Sequence, residues 1–327
     1  MWWIDGHLDL AYLELKGRDM TLPCTEPNAC ITLPELQAGD IRIACGTIFT
    51  EATTEDTGSA YAYHPEDDAG AEYAGQLQRD FYLRHEREGR LRIVRTASDL
   101  EPAQPNQPPA IVMLMEGADP MTPETVGDWH ANGVRMVGLT WAMGTRYAGG
   151  NITHGPLTDA GRDLVAALDA HGIIHDASHL ADEAFEGLFA HTDGPIVATH
   201  SNSRAVLGGD NQRHLTDDQI RAIADRGGII GLNLCGSFLA NDRRATVQDC
   251  VAHVNHVAEI AGGRQFVALG SDADGGFGTD RLPQGCDHPK KFNALLDGLR
   301  EVGFDHADLE GFAHANWLRF LREHLPQ

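Results

Sequence analysis

Short apolar, β-branched runs alternate with amphipathic stretches along the whole chain. The apolar runs are Trp2 to Leu8, Ile41 to Phe49, Leu91 to Val94, Ala110 to Met115, Val134 to Thr140, Ile173 to His175, Pro195 to Thr199, Gly228 to Leu234 and Phe266 to Leu269. They are too short for buried helices and lack the alternation of a strand with one wet face. Such runs predict strands covered on both sides. Between them, a stretch over about 65–88 and segments over 157–171, from about 181, over 216–225 and over 247–261 read as helices. In the second of these, Leu164, Val165 and Leu168 share one helical face. Buried strands separated by helices predict an α/β fold with a parallel sheet, and about eight such units predict a (β/α)8 TIM-type barrel. An open doubly wound sheet is the competing architecture. No GxGxxG follows the first run, which weighs against its dinucleotide-binding form. No fixed-period repeat is visible. The proline-rich segment at 102–109 and the acidic, Gly/Ala-rich segment at 66–75 read as surface rather than linker. Residues 1–327 are therefore expected to form a single domain.

Charge narrows the partners. Acidic residues outnumber basic ones 48 to 25, a formal net charge of −23. Such a surface repels phosphate backbones and anionic lipid, so neither nucleic acid nor a membrane is an expected partner. No apolar run approaches the roughly 20 residues of a membrane span. The N-terminal MWWIDGHLDL lacks the basic start, apolar stretch and cleavage site of a secretion signal, and a cytoplasmic protein is expected. Cys24, Cys30, Cys45, Cys235, Cys250 and Cys286 form no CxxC pair and read as buried thiols. A bridge between Cys24 and Cys30 is allowed, but nothing in the sequence requires it.

The chemistry lies at the ends of the runs. A barrel enzyme works at the C-terminal tips of its strands. His7 and Asp9 end the first run, and an i, i+2 pair on a strand points to one side. Glu116 ends the Ala110 run, His179 follows the Ile173 run, His200 ends the Pro195 run and Asp272 follows the Phe266 run. Imidazole and carboxylate together suit zinc and its neighbours. Each residue alone is weak evidence: a strand-end His is more often a hydrogen-bonding core residue, and a strand-end Asp often caps a helix. The joint placement is what points to metal. The only lysines are Lys16, Lys290 and Lys291, so no mid-barrel lysine is available to bridge two ions as a carbamate. A carboxylate must do so, and Glu116 is the one at a mid-barrel strand end. His171, His175, His253, His256, His306 and His314 are expected to be structural or solvated, with His175 a lesser site candidate.

The stretches DGHLDL, MEGAD, GVRMVGLTW, LTDAGRDLVAALDAHGIIHDASHL, ATHSNSRAV, RHLTDDQI and GSDADG, spread over residues 5–276, make the chain similar to the membrane dipeptidase family of renal dipeptidase-like metallopeptidases. The resemblance implies a (β/α)8-type barrel and a cofactor of two zinc ions per chain. His7 and Asp9 would hold one ion and His179 and His200 the other, with Glu116 between them. Asp272 would move the proton and Arg213 would hold the substrate carboxylate. Members of the family often pair, so a homodimer is the assembly it suggests. One position departs from the pattern. Where many members carry a His after GLT to steady the reacting carbonyl, this chain has Trp141. An indole offers one N–H and a flat wall but no cationic donor. Arg146 and His154 in the next loop are candidate replacements, although surface roles suit them better.

The resemblance implies hydrolysis of a dipeptide, including one with a C-terminal D-residue, for which two such ions would supply a bridging hydroxide. Asp272 would accept the water proton and return it to the leaving amine, with Asp274 as the substitute. Arg213 offers a bidentate fork to a carboxylate, unless it pairs on the surface with Asp217 or Asp218. An amidohydrolase acting on N-acyl amino acids, lactones or other small carboxylated amides would use the same site. A barrel that binds metal without catalysis is the third reading, and the complete residue set argues against it.

Overall fold

The computed structural model describes every residue except Asp56, Pro102, Ala103, Pro105 and Asn106, so half of the proline-rich segment lies outside the described residues. Eight parallel strands curl into a ring: β1 Trp3–Leu8, β2 Ile41–Phe49, β3 Ala110–Glu116, β4 Val134–Gly138, β5 Ile174–Asp176, β6 Ile196–Val197, β7 Ile230–Leu232 and β8 Val267–Leu269. Strands β1 to β6 pair in that order, and β7 pairs with β8. The two sheets are joined by backbone bonds from Ala198 N to Ile229 O (2.9 Å) and from Gly231 N to Ala198 O (2.8 Å). Asp272 N reaches His7 O at 3.1 Å, tying the end of the series back to β1.

The continuous apolar runs take this form because both faces of each strand are covered. Ile4, Ile43, Cys45, Val112, Leu114, Met136, Ile174 and Val197 fill one fully buried cluster together with Trp317, Phe320 and Leu321 of the C-terminal helix Asn316–His324. That helix is pinned by Trp317 Nε1, which donates to Leu269 O at 2.9 Å. A larger cluster fills the space between the sheet and the surrounding helices. Each fully buried aliphatic side chain contributes about 1.5–3 kcal/mol relative to an exposed one. The helices begin where the sequence caps them. Thr158 accepts from Gly161 N ahead of Asp159–Ala170, and Thr216 accepts from Gln219 N ahead of Asp217–Asp225.

Three features differ from the sequence expectation. The Leu91–Val94 run supplies only Arg92–Ile93, which pairs with the first residues of β3 off the path of the ring and so is no barrel strand. A small excursion after β2 pairs Glu51–Ala52 with Ala62–Tyr63. The short helices Leu10–Leu15, Leu33–Ala38, Val126–Ala131 and Arg204–Leu207, and the helices between Asn293 and His324, correspond to no expected element. All six cysteines are free, so Cys24 and Cys30 form no bridge. Among the described residues no helix is long and apolar enough to cross a membrane.

Two glycines set how closely the strand tips approach. A Cβ on Gly231 would stand 1.9 Å from Thr199 O, and one on Gly270 would stand 1.7 Å from the same oxygen. Only glycine lets β7 and β8 crowd against the end of β6, where His200 begins the next loop.

Candidate active site

The ring register gathers the strand tips. Phe49 of β2 lies opposite Glu116 of β3, and Glu116 opposite Gly138 of β4. His7 is the penultimate residue of β1, whereas Asp9 has left the strand and precedes the helix Leu10–Leu15. The pair therefore meets at a strand-to-helix corner rather than on one strand face. His179 and Asp272 both adopt left-handed backbone, with φ of +68° and +55°. Non-glycine residues hold such angles only where surrounding structure enforces them, which is common at functional sites.

Six of the residues singled out in the sequence come together. His7 Nε2 lies 3.4 Å from Glu116 Oε2 and 3.8 Å from Asp9 Oδ1. On the other side, Glu116 Oε1 lies 3.1 Å from His179 Nε2 and 3.5 Å from His200 Nε2. Two triads that share Glu116 thus form, His7–Asp9–Glu116 and Glu116–His179–His200, each buried with its candidate ligand atoms within 4.8 Å of one another, and a third group, His7–Asp176–His200, meets the same criterion. Asp272 completes the rim, held by Asn233 Nδ2, which donates to its Oδ2 at 2.9 Å.

The hydrogen bonds behind the histidines fix their tautomers. His179 Nδ1 faces Asn151 Oδ1 at 2.8 Å, and an amide oxygen only accepts, so Nδ1 carries the proton. His200 Nδ1 lies 2.9 Å from Thr199 Oγ1, whose own proton goes to Asp176. That Nδ1 also carries the proton. Both Nε2 atoms are then bare lone pairs, yet they face each other 3.0 Å apart with a carboxylate oxygen alongside. Three acceptors aimed at one point repel unless a cation lies among them, so this donor set fits a divalent metal. Asp9 is steadied in the same way by the Thr47 hydroxyl.

Electrostatics agree. Burial, with the charge of Arg213, lowers His179 to about 4, and burial together with His7 puts His200 well below its usual value, so both are neutral imidazoles as metal ligands must be. Burial opposes charge on His7, but Glu116, Asp9 and Asp272 outweigh it and lift the imidazole to about 10. Burial alone would raise Glu116; the charge of His7 and the three histidine contacts hold it well below the ordinary range. The carboxylates demand positive charge, which a proton on His7 meets here and a divalent ion would meet equally. Burial, then the Asp9 and Glu116 charges, lift Asp272 to about 7 against the pull of His7 and Arg213.

A cavity of about 440 Å³ opens over this cluster and is lined by Asp9, Glu116, His179, His200 and Asp272, with Trp141 and Arg213 in its walls. Arg213 is 3% exposed. Its Nη1 donates to Ser201 Oγ (3.1 Å) and its Nη2 to His200 O (2.7 Å), while its Nε has no hydrogen-bond partner among the described residues. No described carboxylate pairs with it, and Asp217 instead pairs with His256 and Asp218 with Arg221. The surface-pair alternative for Arg213 is thereby excluded. Trp141 packs edge-on to Phe49 with centroids 5.1 Å apart.

The other candidates lie elsewhere. Asp274 binds Arg18 and accepts from Cys30 N and Ile31 N, so it fastens a loop and is no substitute base. Arg146 pairs with Asp119 and Asp68, and His154 is exposed with a contact to Asn151 O; neither lines the cavity. His175 is tied to Asp169 at 2.7 Å. Sequence reasoning missed Thr47, Asn151, Asp176, Thr199 and Asn233, which orient the central groups. Only the adjacency of Thr199 to His200, and an acid inside the apolar IIHDAS run, pointed toward any of them.

Comparison with known proteins agrees with this geometry. The family model for the membrane dipeptidases, peptidase family M19, matches residues 1–325. An uncharacterized protein in the pqqA 5′ region of Klebsiella pneumoniae is 35% identical over 248 residues, covering 72% of this chain and 89% of that protein. Some relatives are longer: the chain spans 39% of Dipeptidase 3 of Mus musculus, at 27% identity over 58% of its own length. Among solved structures, a metallo peptidase from Rhodobacter sphaeroides, liganded with a phosphinate mimic of the dipeptide L-Ala-D-Ala, superimposes with a TM-score of 0.86 at 27% identity, over 99% of both chains. A second, dipeptidase AC, gives a TM-score of 0.87 at 27% identity, over 100% of this chain and 99% of that one. The chain belongs to the membrane dipeptidase family, peptidase family M19, and is a metal-dependent hydrolase of the dipeptidase type.

Proposed function

We propose that the chain hydrolyses dipeptides with two zinc ions, one held by His7 and Asp9, the other by His179 and His200, with Glu116 shared between them. The observation that carries this reading is the facing pair of unprotonated Nε2 atoms on His179 and His200 beside a carboxylate that also reaches His7. When bound, such ions supply an acidified water and polarise a carbonyl oxygen. The chain's own residues do the rest. Arg213 receives the substrate carboxylate through its unused donors and fixes the scissile bond over the cluster. Asp272, held by Asn233, takes a proton from the water and returns it to the leaving amine. Trp141 and Phe49 form an apolar wall that excludes solvent from one side.

The L-Ala-D-Ala mimic held by the Rhodobacter sphaeroides protein supports acceptance of a D-residue at the carboxyl end. Six free thiols and an acidic surface support a cytoplasmic protein that acts as one unit on small molecules. A homodimer belongs to the same reading. The amidohydrolase alternative keeps the anchor and the metals and changes only the acyl group. The test is a panel of L-L and L-D dipeptides, N-acyl amino acids and lactones, given to metal-loaded protein of measured zinc content. Turnover of dipeptides with two zinc per chain is expected. Turnover of acylated substrates alone would transfer the proposal to the alternative, and two zinc without turnover of any substrate would overturn both.

A further inference from the structure

We infer that Glu51, with the aromatic wall of Tyr12, Phe49, Tyr61 and Trp141, seats a positively charged side chain on the substrate's amino-terminal residue, so that arginyl and lysyl dipeptides are the preferred class. The inference rests on the dipeptidase reading for the placement of the rest of the substrate.

In a ring of eight strands, the second and sixth stand across the barrel from each other. Glu51 follows β2 by two residues, and Arg213 lies in the segment after β6. Both line the same cavity, with the carboxylate and imidazole cluster between them. A carboxylate bound at Arg213 therefore directs the other end of a dipeptide toward the β2 side.

Glu51 has nothing else to do there. Its backbone N–H is used, donating to Tyr61 O at 3.0 Å. Its half-buried carboxylate accepts no hydrogen bond and forms no ion pair with any described residue. Burial and the nearby charge of Glu55 both push this carboxyl up, the signature of a site short of positive charge. Phe49 and Glu51 are two apart on extended chain, so their side chains emerge on one side. Around Phe49 the rings close in: Trp141 at 5.1 Å, Tyr12 at 5.6 Å and Tyr61 at 5.7 Å between centroids, with Tyr12 and Tyr61 at 4.9 Å.

Aromatic faces attract ammonium and guanidinium groups, and a carboxylate at the end of such a wall gives a cation a full partner. One cation already makes such a contact, since exposed Lys16, outside the cavity, has its Nζ 5.9 Å from the Tyr61 centroid. An apolar side chain would also cover the rings, but it would strip water from Glu51 without replacing its hydrogen bonds. That cost is what separates a cationic from a neutral side chain of the same shape.

Arginine and citrulline have nearly the same shape and differ in charge, so the test compares arginyl-alanine with citrullinyl-alanine on metal-loaded full-length protein. The readouts are kcat/KM and the calorimetric affinity for non-hydrolysable phosphinate mimics of both. At low salt the arginyl form should be favoured by about tenfold or more. Glu51→Gln should bring the ratio close to one, and Glu51→Lys should turn the preference toward a glutamyl dipeptide. Because the Glu51 carboxylate supports no described neighbour, neither variant should disturb folding, and a thermal melt checks this. Equal handling of the two substrates by the unmodified chain, or a preference that survives Glu51→Gln, would overturn the inference while leaving dipeptide hydrolysis intact. Glu51-dependent binding of the arginyl mimic without cleavage of any dipeptide would do the reverse.

Discussion

Replacing Arg213 by Met removes a buried guanidinium whose side-chain hydrogen bonds among the described residues go to Ser201 Oγ and His200 O, and which lies 5.3 Å from the Phe238 ring centroid. Three of its five N–H donors, including the unpartnered Nε, are free for a ligand. Two charge-assisted hydrogen bonds to a carboxylate, at about 1.5–3 kcal/mol each, total about 3–6 kcal/mol. At 1.36 kcal/mol per tenfold, that is a loss in kcat/KM of about a hundredfold to ten-thousandfold. Stability should move the other way or not at all, because a buried cation without a carboxylate partner is costly and Met fills much of the same volume. The assay pairs a dipeptide with its C-terminal amide on both proteins. The unmodified chain should discriminate strongly against the amide, whereas Arg213→Met should treat the two nearly alike. The Tm of the variant should equal or exceed that of the unmodified chain. An Arg213→Met enzyme that still discriminates against the amide would show that the carboxylate is bound elsewhere and refute the reasoning.

Other consequences are equally concrete. Gly270→Ala places a Cβ 1.7 Å from Thr199 O and should destabilise the fold by about 3 kcal/mol or more in a thermal melt, whereas Gly155→Ala, whose new carbon meets its nearest neighbour at 3.8 Å, should be near neutral. Asn151→Ala removes the acceptor that orients His179 and should weaken zinc binding by about 10–100-fold in a chelator competition, while Asn151→Asp should retain it. Asp182 is held below its ordinary 3.8 by the Arg204 fork, at 2.9 and 2.7 Å. Because the folded value is depressed, the contribution is complete above about pH 4 and is lost as pH falls through the depressed value. The Tm gap between the unmodified chain and Asp182→Asn should be constant at neutral pH and close below that point.

The sequence made the strand tips legible for a physical reason. A run such as AIVMLM that ends in Glu116 has no local use for a buried charge, so the charge signals a partner from elsewhere in the chain. Six polar residues at the ends of five such runs converge in space. The groups that orient them were not legible, because their contacts are long-range. Asn151 reaches His179 from a loop 28 residues away, and Thr47 reaches Asp9 from the neighbouring strand. The aromatic wall was hidden for the same reason: Tyr12, Phe49, Tyr61 and Trp141 show no periodicity and meet only when β2 and β4 stand on either side of β3. Asp9 was placed on the strand by its i, i+2 spacing, but the chain turns into a helix first. Asp274 looked like a spare base because it stands beside Asp272, yet its left-handed backbone turns it to Arg18.

The central claim is that Glu116 joins two metal sites. Anomalous diffraction at the zinc edge from zinc-loaded crystals tests it most directly. Two peaks should appear about 3.5–4 Å apart, one beside His7 and Asp9, the other beside His179 and His200, with a Glu116 oxygen on each. A single peak, or peaks that leave Glu116 uncoordinated, would contradict it.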